Sequence, residues 1–148
     1  MRAPGKAPSD ADLAEVHAVY RELDARPLER ACTRRTECCQ FKLTGRTPYL
    51  TRGEAAVLAR GLRASGRTTL PSRDDGACPL LDRTGRCLAY ATRPFGCRTH
   101  FCEAAGGSYP RTHVLDLIRR LEVVDRALGG HGSLPLPTAL ERALRDLR

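Results

Sequence analysis

Chemistry in this 148-residue chain is concentrated in its seven cysteines, which fall in two clusters. Cys78, Cys87, Cys97 and Cys102 follow the spacing C-x8-C-x9-C-x4-C. Cys32, Cys38 and Cys39 form an earlier knot, CTRRTECC. Thiolates are soft ligands. Four of them, or thiolates mixed with imidazoles, complete a tetrahedral zinc site or hold an iron–sulfur cluster. The knot has three cysteines and cannot close such a site alone. Cys38 and Cys39 are adjacent, so both reach one small ion only awkwardly. One of them is expected to face a second metal or to be buried as a small apolar residue. The later run supplies the missing partners. The expected centre is therefore composite, with Cys39, Cys78, Cys87 and Cys97 ranked first as ligands. Cys38 is exchangeable with Cys39 in this ranking, and Cys32 and Cys102 follow.

Other side chains surround these thiols. His100 lies between Cys97 and Cys102, and with the seven cysteines it would make eight ligands, enough for two four-coordinate sites. Arg86, Arg93 and Arg98 are interleaved with the thiols. Solvent exposure explains them, but hydrogen bonding to an anionic sulfur centre, or charge compensation of it, is the sharper reading for Arg93 and Arg98. Tyr90 and Phe95 are placed to keep water from the site, although packing explains them as well. Tyr90, Arg93 and Arg98 are thus the candidate residues around the cofactor. Asp74 and Asp75 sit side by side before Gly76, in a turn without a base or nucleophile beside them, and are not read as catalytic.

Short elements must position these groups. Residues 9–26 read as a helix, with Ser9 and Asp12 as a capping box and Leu13, Val16, Tyr20 and Leu23 as its apolar stripe. Pro27 ends it. His17, near that stripe, reads as a structural histidine. Residues 41–50 suggest a short hairpin or extended arm turning at Thr44-Gly45. Thr51 and Glu54 open a second helix, with Ala55, Leu58 and Leu62 on one face. Residues 65–77 read as a loop. Thr84-Gly85 is a turn, so Cys78 and Cys87 would flank a small hairpin, and Pro94 and Gly96 would redirect the chain so that Cys97 points inward. A third helix is expected over 112–128, with Val114, Leu117, Ile118, Leu121 and either Val123 or Val124 facing inward, stopped by Gly129-Gly130. Residues 129–137 read as a flexible connection. A last helix over 138–147, capped by Thr138 and Glu141, would dock through Leu140, Leu144 and Leu147, or serve a protein partner. The expected fold is a small single domain over 1–148, mainly α with short hairpins and loops, with a cysteine-cluster core at about 28–104.

Composition agrees with a metal-centred fold. There is no Trp, one Met and three Phe, so the core relies on Ala and Leu, and bound metal is one source of the stability that large side chains would otherwise supply. Formal charge is +8, carried almost wholly by Arg. That admits nucleic-acid binding. A general preference for Arg, offsetting a thiolate-rich centre, explains it equally. Residues 1–8 contain no apolar run of signal-peptide length, and no stretch is long enough to span a membrane, so a cytoplasmic protein is expected. In that reducing compartment clustered cysteines point to metal rather than to disulfides. The glycines of 129–137 lack the strand and following helix of a phosphate loop.

The two clusters together resemble the YkgJ-like cysteine-cluster family, a zinc- or iron-chelating domain whose first signature is C-x2-C-x2-C-C. The family's other signature is C-P-x-L followed by G-x-C-x-x-Y-x-x-R-P-x-x-C-R. Cys78, Pro79, Leu80, Gly85, Cys87, Tyr90, Arg93, Pro94, Cys97 and Arg98 match this later signature. The helix opened by Leu50-Thr51 and Glu54 is similar to the segment after the first. Cys32, Cys38 and Cys39 fall on three of the four cysteines of the first signature, and Arg35 stands at the other. Arg is not a thiolate, so that position is lost, completed by water, or replaced by Cys102 or His100. The resemblance implies metal chelation. The long spacings of the later run are unlike paired zinc knuckles, and the excess of cysteines over four fits either a cluster with spare thiols or two metal sites; a 4Fe–4S cluster is favoured, with zinc or non-haem iron as alternatives. The matching functions are electron transfer or redox sensing with a protein partner, a structural zinc domain binding protein or nucleic acid, or an iron enzyme with a partly open site. No Ser/His/Asp, Cys/His/Asn or paired-carboxylate arrangement supports the last.

Overall fold

The computed structural model describes residues 7–26, 47–70, 75–99 and 109–147. The first helix, α1 (Asp10–Ala25), starts at the expected capping box: Ser9 Oγ accepts from the Asp12 N–H at 3.2 Å, and Asp12 accepts from the Ser9 N–H at 2.8 Å. It ends at Arg26, whose extended backbone is the conformation favoured before Pro27. Leu13, Val16, Val19, Tyr20 and Leu23 are its buried face, while His17 is exposed.

The second helix, α2 (Arg52–Ala64), is the centre of the fold and is preceded by the strand β1 (Tyr49–Leu50). Its capping box is complete. Thr51 donates to Glu54 Oε2 through both N and Oγ1 at 3.0 Å, and the Glu54 N–H points back to Thr51 Oγ1. Almost every face of α2 is buried, which its small side chains permit. Ala55, Leu58, Ala59 and Leu62 face one apolar cluster, Ala56 and Val57 another. At Gly53 a Cβ would lie 2.9 Å from both Val16 and Val124, and at Gly61 it would lie 2.4 Å from Thr92 Oγ1. The shortage of large apolar residues thus matches a central helix that neighbours approach closely on both sides.

A 3-10 turn over Tyr90–Thr92 leads to the short helix α3 (Phe95–Thr99). A second 3-10 turn, Arg111–His113, precedes α4 (Leu115–Ala127). Val114, Leu117, Leu121 and Val124 are buried and Val123 is 56% exposed, which settles the inward choice at 123–124. Arg26 joins the end of α1 to the start of α4 through a two-pronged contact with Asp116, and Arg120 pairs with Glu15 and Glu22.

The segment after α4 departs from a flexible connection. Leu134–Pro135 forms β2, antiparallel to β1 in the register Tyr49↔Pro135 and Leu50↔Leu134, and Leu136 N donates to Pro48 O at 2.8 Å. The last helix, α5 (Leu136–Asp146), therefore starts two residues before Thr138, and no side chain caps it. Pro137 in its first turn has no N–H to satisfy, and the strand contact engages the N–H of Leu136. Of the expected hairpin over 41–50, residues 41–46, with the Thr44-Gly45 turn, lie outside the described residues; β1 itself pairs with β2. Among the described residues the architecture is a mainly helical fold with one short antiparallel pair. Packing of α5 on one side of α2, and of α1 and α4 on the other, creates the two apolar clusters.

Candidate metal centre

Cys78, Cys87 and Cys97 are the cysteines among the described residues. The first two belong to the expected hairpin. Leu88 N donates to Leu80 O and Asp82 N to Arg86 O, both at 2.8 Å, and Leu81 bridges Cys87. The turn is held by the Asp82 carboxylate, which accepts from Thr84 N and Arg86 N at 2.9 Å and from Thr84 Oγ1 at 2.7 Å. These bonds, that from Arg86 first, hold the Asp82 carboxyl below its usual range. Gly85 closes the turn with φ +82°, a conformation that costs glycine little.

Cys97 is carried by α3. Pro94 lies just before this helix, fully buried, and its carbonyl accepts from Cys97 N at 3.0 Å and Arg98 N at 3.1 Å. Arg98 binds the segment to its surroundings. Its guanidinium lies 4.2 Å from the Tyr20 ring centroid, donates to Arg93 O at 2.7 Å and Ala91 O at 2.9 Å, and approaches Asp24 at 3.5 Å. Burial lowers its pKa, opposed by the Tyr20 and Asp24 groups. Arg93 lies over the Tyr90 ring at 3.8 Å and donates to Tyr90 O at 2.9 Å. Tyr90 is 39% exposed and Phe95 is buried in the cluster of α1 and α4.

All three thiols border one apolar cluster. Cys78 is buried within it, together with Leu50, Leu58, Leu80, Leu81 and Leu140, and half-buried Cys87 and Cys97 pack against it. Among the described residues, no three His, Cys, Asp or Glu side chains form a group that could hold a metal ion. Cys32, Cys38, Cys39, Cys102, His100 and Arg35 lie outside the described residues. The donor set nevertheless fits zinc or iron. It consists of soft sulfur donors beside an apolar wall.

The chain matches the CxxCxxCC family, described as a putative zinc- or iron-chelating domain, over residues 31–113, more than half its length. The chain belongs to this family. All seven cysteines lie within the matched span. No curated protein matches the chain, and no solved structure does. As a CxxCxxCC domain it is a metal-chelating cysteine-cluster protein, and α2, the Cys78–Cys87 hairpin and α3 are parts of its frame. No helix among the described residues is long and apolar enough to cross a membrane.

Two buried acids of this CxxCxxCC domain are not evident as such from sequence. Glu54 is legible as a cap, but its Oε1 also accepts from Tyr20 Oη at 3.3 Å and from Phe95 N at 2.7 Å. Burial raises its pKa, partly offset by hydrogen bonds from Thr51, Phe95 and Tyr20. Tyr20 is raised too, by burial first and then by the Glu54 charge. Asp125 is 3% exposed; it accepts from Arg52 N at 2.7 Å and Gly132 N at 3.0 Å. Nothing local signals either long-range contact.

Proposed function

We propose that this domain is a small iron–sulfur protein of electron transfer or redox sensing. In this reading Cys39, Cys78, Cys87 and Cys97 hold a 4Fe–4S cluster, with Cys38 exchangeable for Cys39 and Cys32 and Cys102 next in rank as ligands. When bound, such a cluster supplies one-electron redox chemistry. The observation that carries the reading is that Cys78, Cys87 and Cys97 all border the same apolar cluster. Low polarity around sulfur limits solvent access and tunes reduction potential. The long spacings between these cysteines, unlike those of paired zinc knuckles, add support. Arg98, with Arg93 and Tyr90 beside it, frames the Cys97 segment and sets positive charge next to that thiol. A protein redox partner and a cytoplasmic setting belong to this reading.

A structural zinc domain is the second reading. It is favoured by the position of Cys78 inside the core that unites α2 with α5, where a bound ion would contribute folding energy. Absorption spectroscopy of anaerobically purified protein separates the two. A brown protein whose visible band bleaches with dithionite supports the cluster, and a colourless protein that still binds metal supports zinc.

A further inference from the structure

The carboxylate of Glu54 has two oxygens and two different duties. Oε2 closes the capping box of its own helix by accepting from Thr51 N and Thr51 Oγ1. Oε1 leaves that helix altogether. It accepts at 2.7 Å from Phe95 N, the first amide of the helix that carries Cys97, and also from Tyr20 Oη on α1. The first amides of any helix lack an intrahelical acceptor, so a buried helix start needs one from elsewhere. Here a side chain 41 positions earlier provides it. Phe95 is buried and Glu54 is 3% exposed, so water has little access to replace the bond.

We infer that Glu54 is a positioning residue of the thiol centre, capping two helices with one carboxylate and so fixing the backbone that carries Cys97. This role rests on the metal-centre reading, but the geometry behind it can be tested separately. The surrounding donors make the requirement specific. A carboxylate accepts at both oxygens, whereas a glutamine amide has one acceptor and one donor end. In Glu54→Gln either Phe95 N or Thr51 N therefore faces an NH2 group. Glu54→Asp is more selective. Asp12 already closes the capping box of α1, so an aspartate can do so at the same position of α2. One methylene shorter, it no longer spans to Phe95.

The test is residue-resolved hydrogen exchange on the full chain as purified, with Glu54→Asp, Glu54→Gln and Thr51→Val beside the wild type. In Glu54→Asp, amides of Phe95–Thr99 should exchange about tenfold faster, the scale of losing one hydrogen bond to a charged acceptor, while those of Leu58–Leu62 stay unchanged. Thr51→Val, which removes only the hydroxyl of the α2 cap, should raise exchange in α2 without singling out Phe95–Thr99. Where metal is bound, its release to a chelator should quicken by roughly tenfold in Glu54→Asp, the lower end for loss of an outer-shell partner. Equal exchange at Phe95–Thr99 in wild type and Glu54→Asp overturns the inference. So does a wild-type Phe95 amide that exchanges as fast as an exposed one, a measurement that needs no variant. Altered exchange in protein that binds no metal leaves the double cap standing and sinks the metal-centre reading instead.

Discussion

At the scale of residues, the thiols differ in what their loss should do. Cys87 sits at the hairpin bridge and packs against the cluster that buries Cys78. Cys87→Ser keeps the size of the side chain but exchanges a soft donor for a hard one. Metal affinity is expected to fall by at least roughly tenfold, the loss caused by removing even an outer-shell partner. Equilibrium dialysis with metal analysis reads this; unchanged affinity would remove Cys87 from the ligand set. Glu54 gives a pH signature. Burial lifts its folded-state pKa above the ordinary glutamate value. The folded state therefore binds more protons there than the unfolded one, and the stability Glu54 contributes is complete below the ordinary value and lost as pH rises through the lifted one. Urea denaturation of wild type and Glu54→Gln from about pH 4 to 7 should show the wild-type advantage shrinking with rising pH. The exposed pairs of Asp116 and Glu22 act in the opposite direction. Arg26 holds Asp116 low and Arg120 holds Glu22 low, so their contribution is lost as pH falls, equally in both proteins.

At the scale of elements, local signals are readable in the sequence and distant ones are not. Ser9 with Asp12 and Thr51 with Glu54 mark both helix starts because a capping box closes within three residues. Thr84-Gly85 marks the hairpin for the same reason, since its bonds stay between 80 and 88. The start of α5 is misplaced by sequence reasoning because Thr138 and Glu141 imitate a cap, while the element that sets the start is β1, far away in the chain. Asp125 joins such distant parts. It receives the first amide of α2 and the loop amide of Gly132, and a Cβ at Gly130 would lie 2.3 Å from its carboxylate. Asp125→Ala leaves two part-buried amides without their acceptor. It should cost about 2–4 kcal/mol, the sum of two modest charge-assisted bonds, measured by urea unfolding. A cost below about 0.5 kcal/mol, the level of an ordinary surface change, would contradict this role.

For the molecule as a whole, α2 divides the core in two. One cluster holds Cys78 with α2 and α5, the other joins α1, α4 and Phe95. Metal held at the cysteines should stabilise the first cluster more directly than the second. Chelation is expected to speed amide exchange at Leu80, Leu81 and Leu88 while α1 and α4 stay protected; uniform loss of protection would mean that the two clusters unfold as one unit. This division explains why so much of the site is readable as motif and so little as geometry. Cys78, Cys87 and Cys97 announce themselves by spacing, but their shared border on one apolar cluster depends on how α5 and the hairpin close over α2. The central claim, that these thiols hold an iron–sulfur cluster, is tested most directly by measuring iron, zinc and acid-labile sulfide in protein purified anaerobically from iron-replete cells. Iron and sulfide in near-equal amounts are expected; stoichiometric zinc without sulfide rules the cluster out.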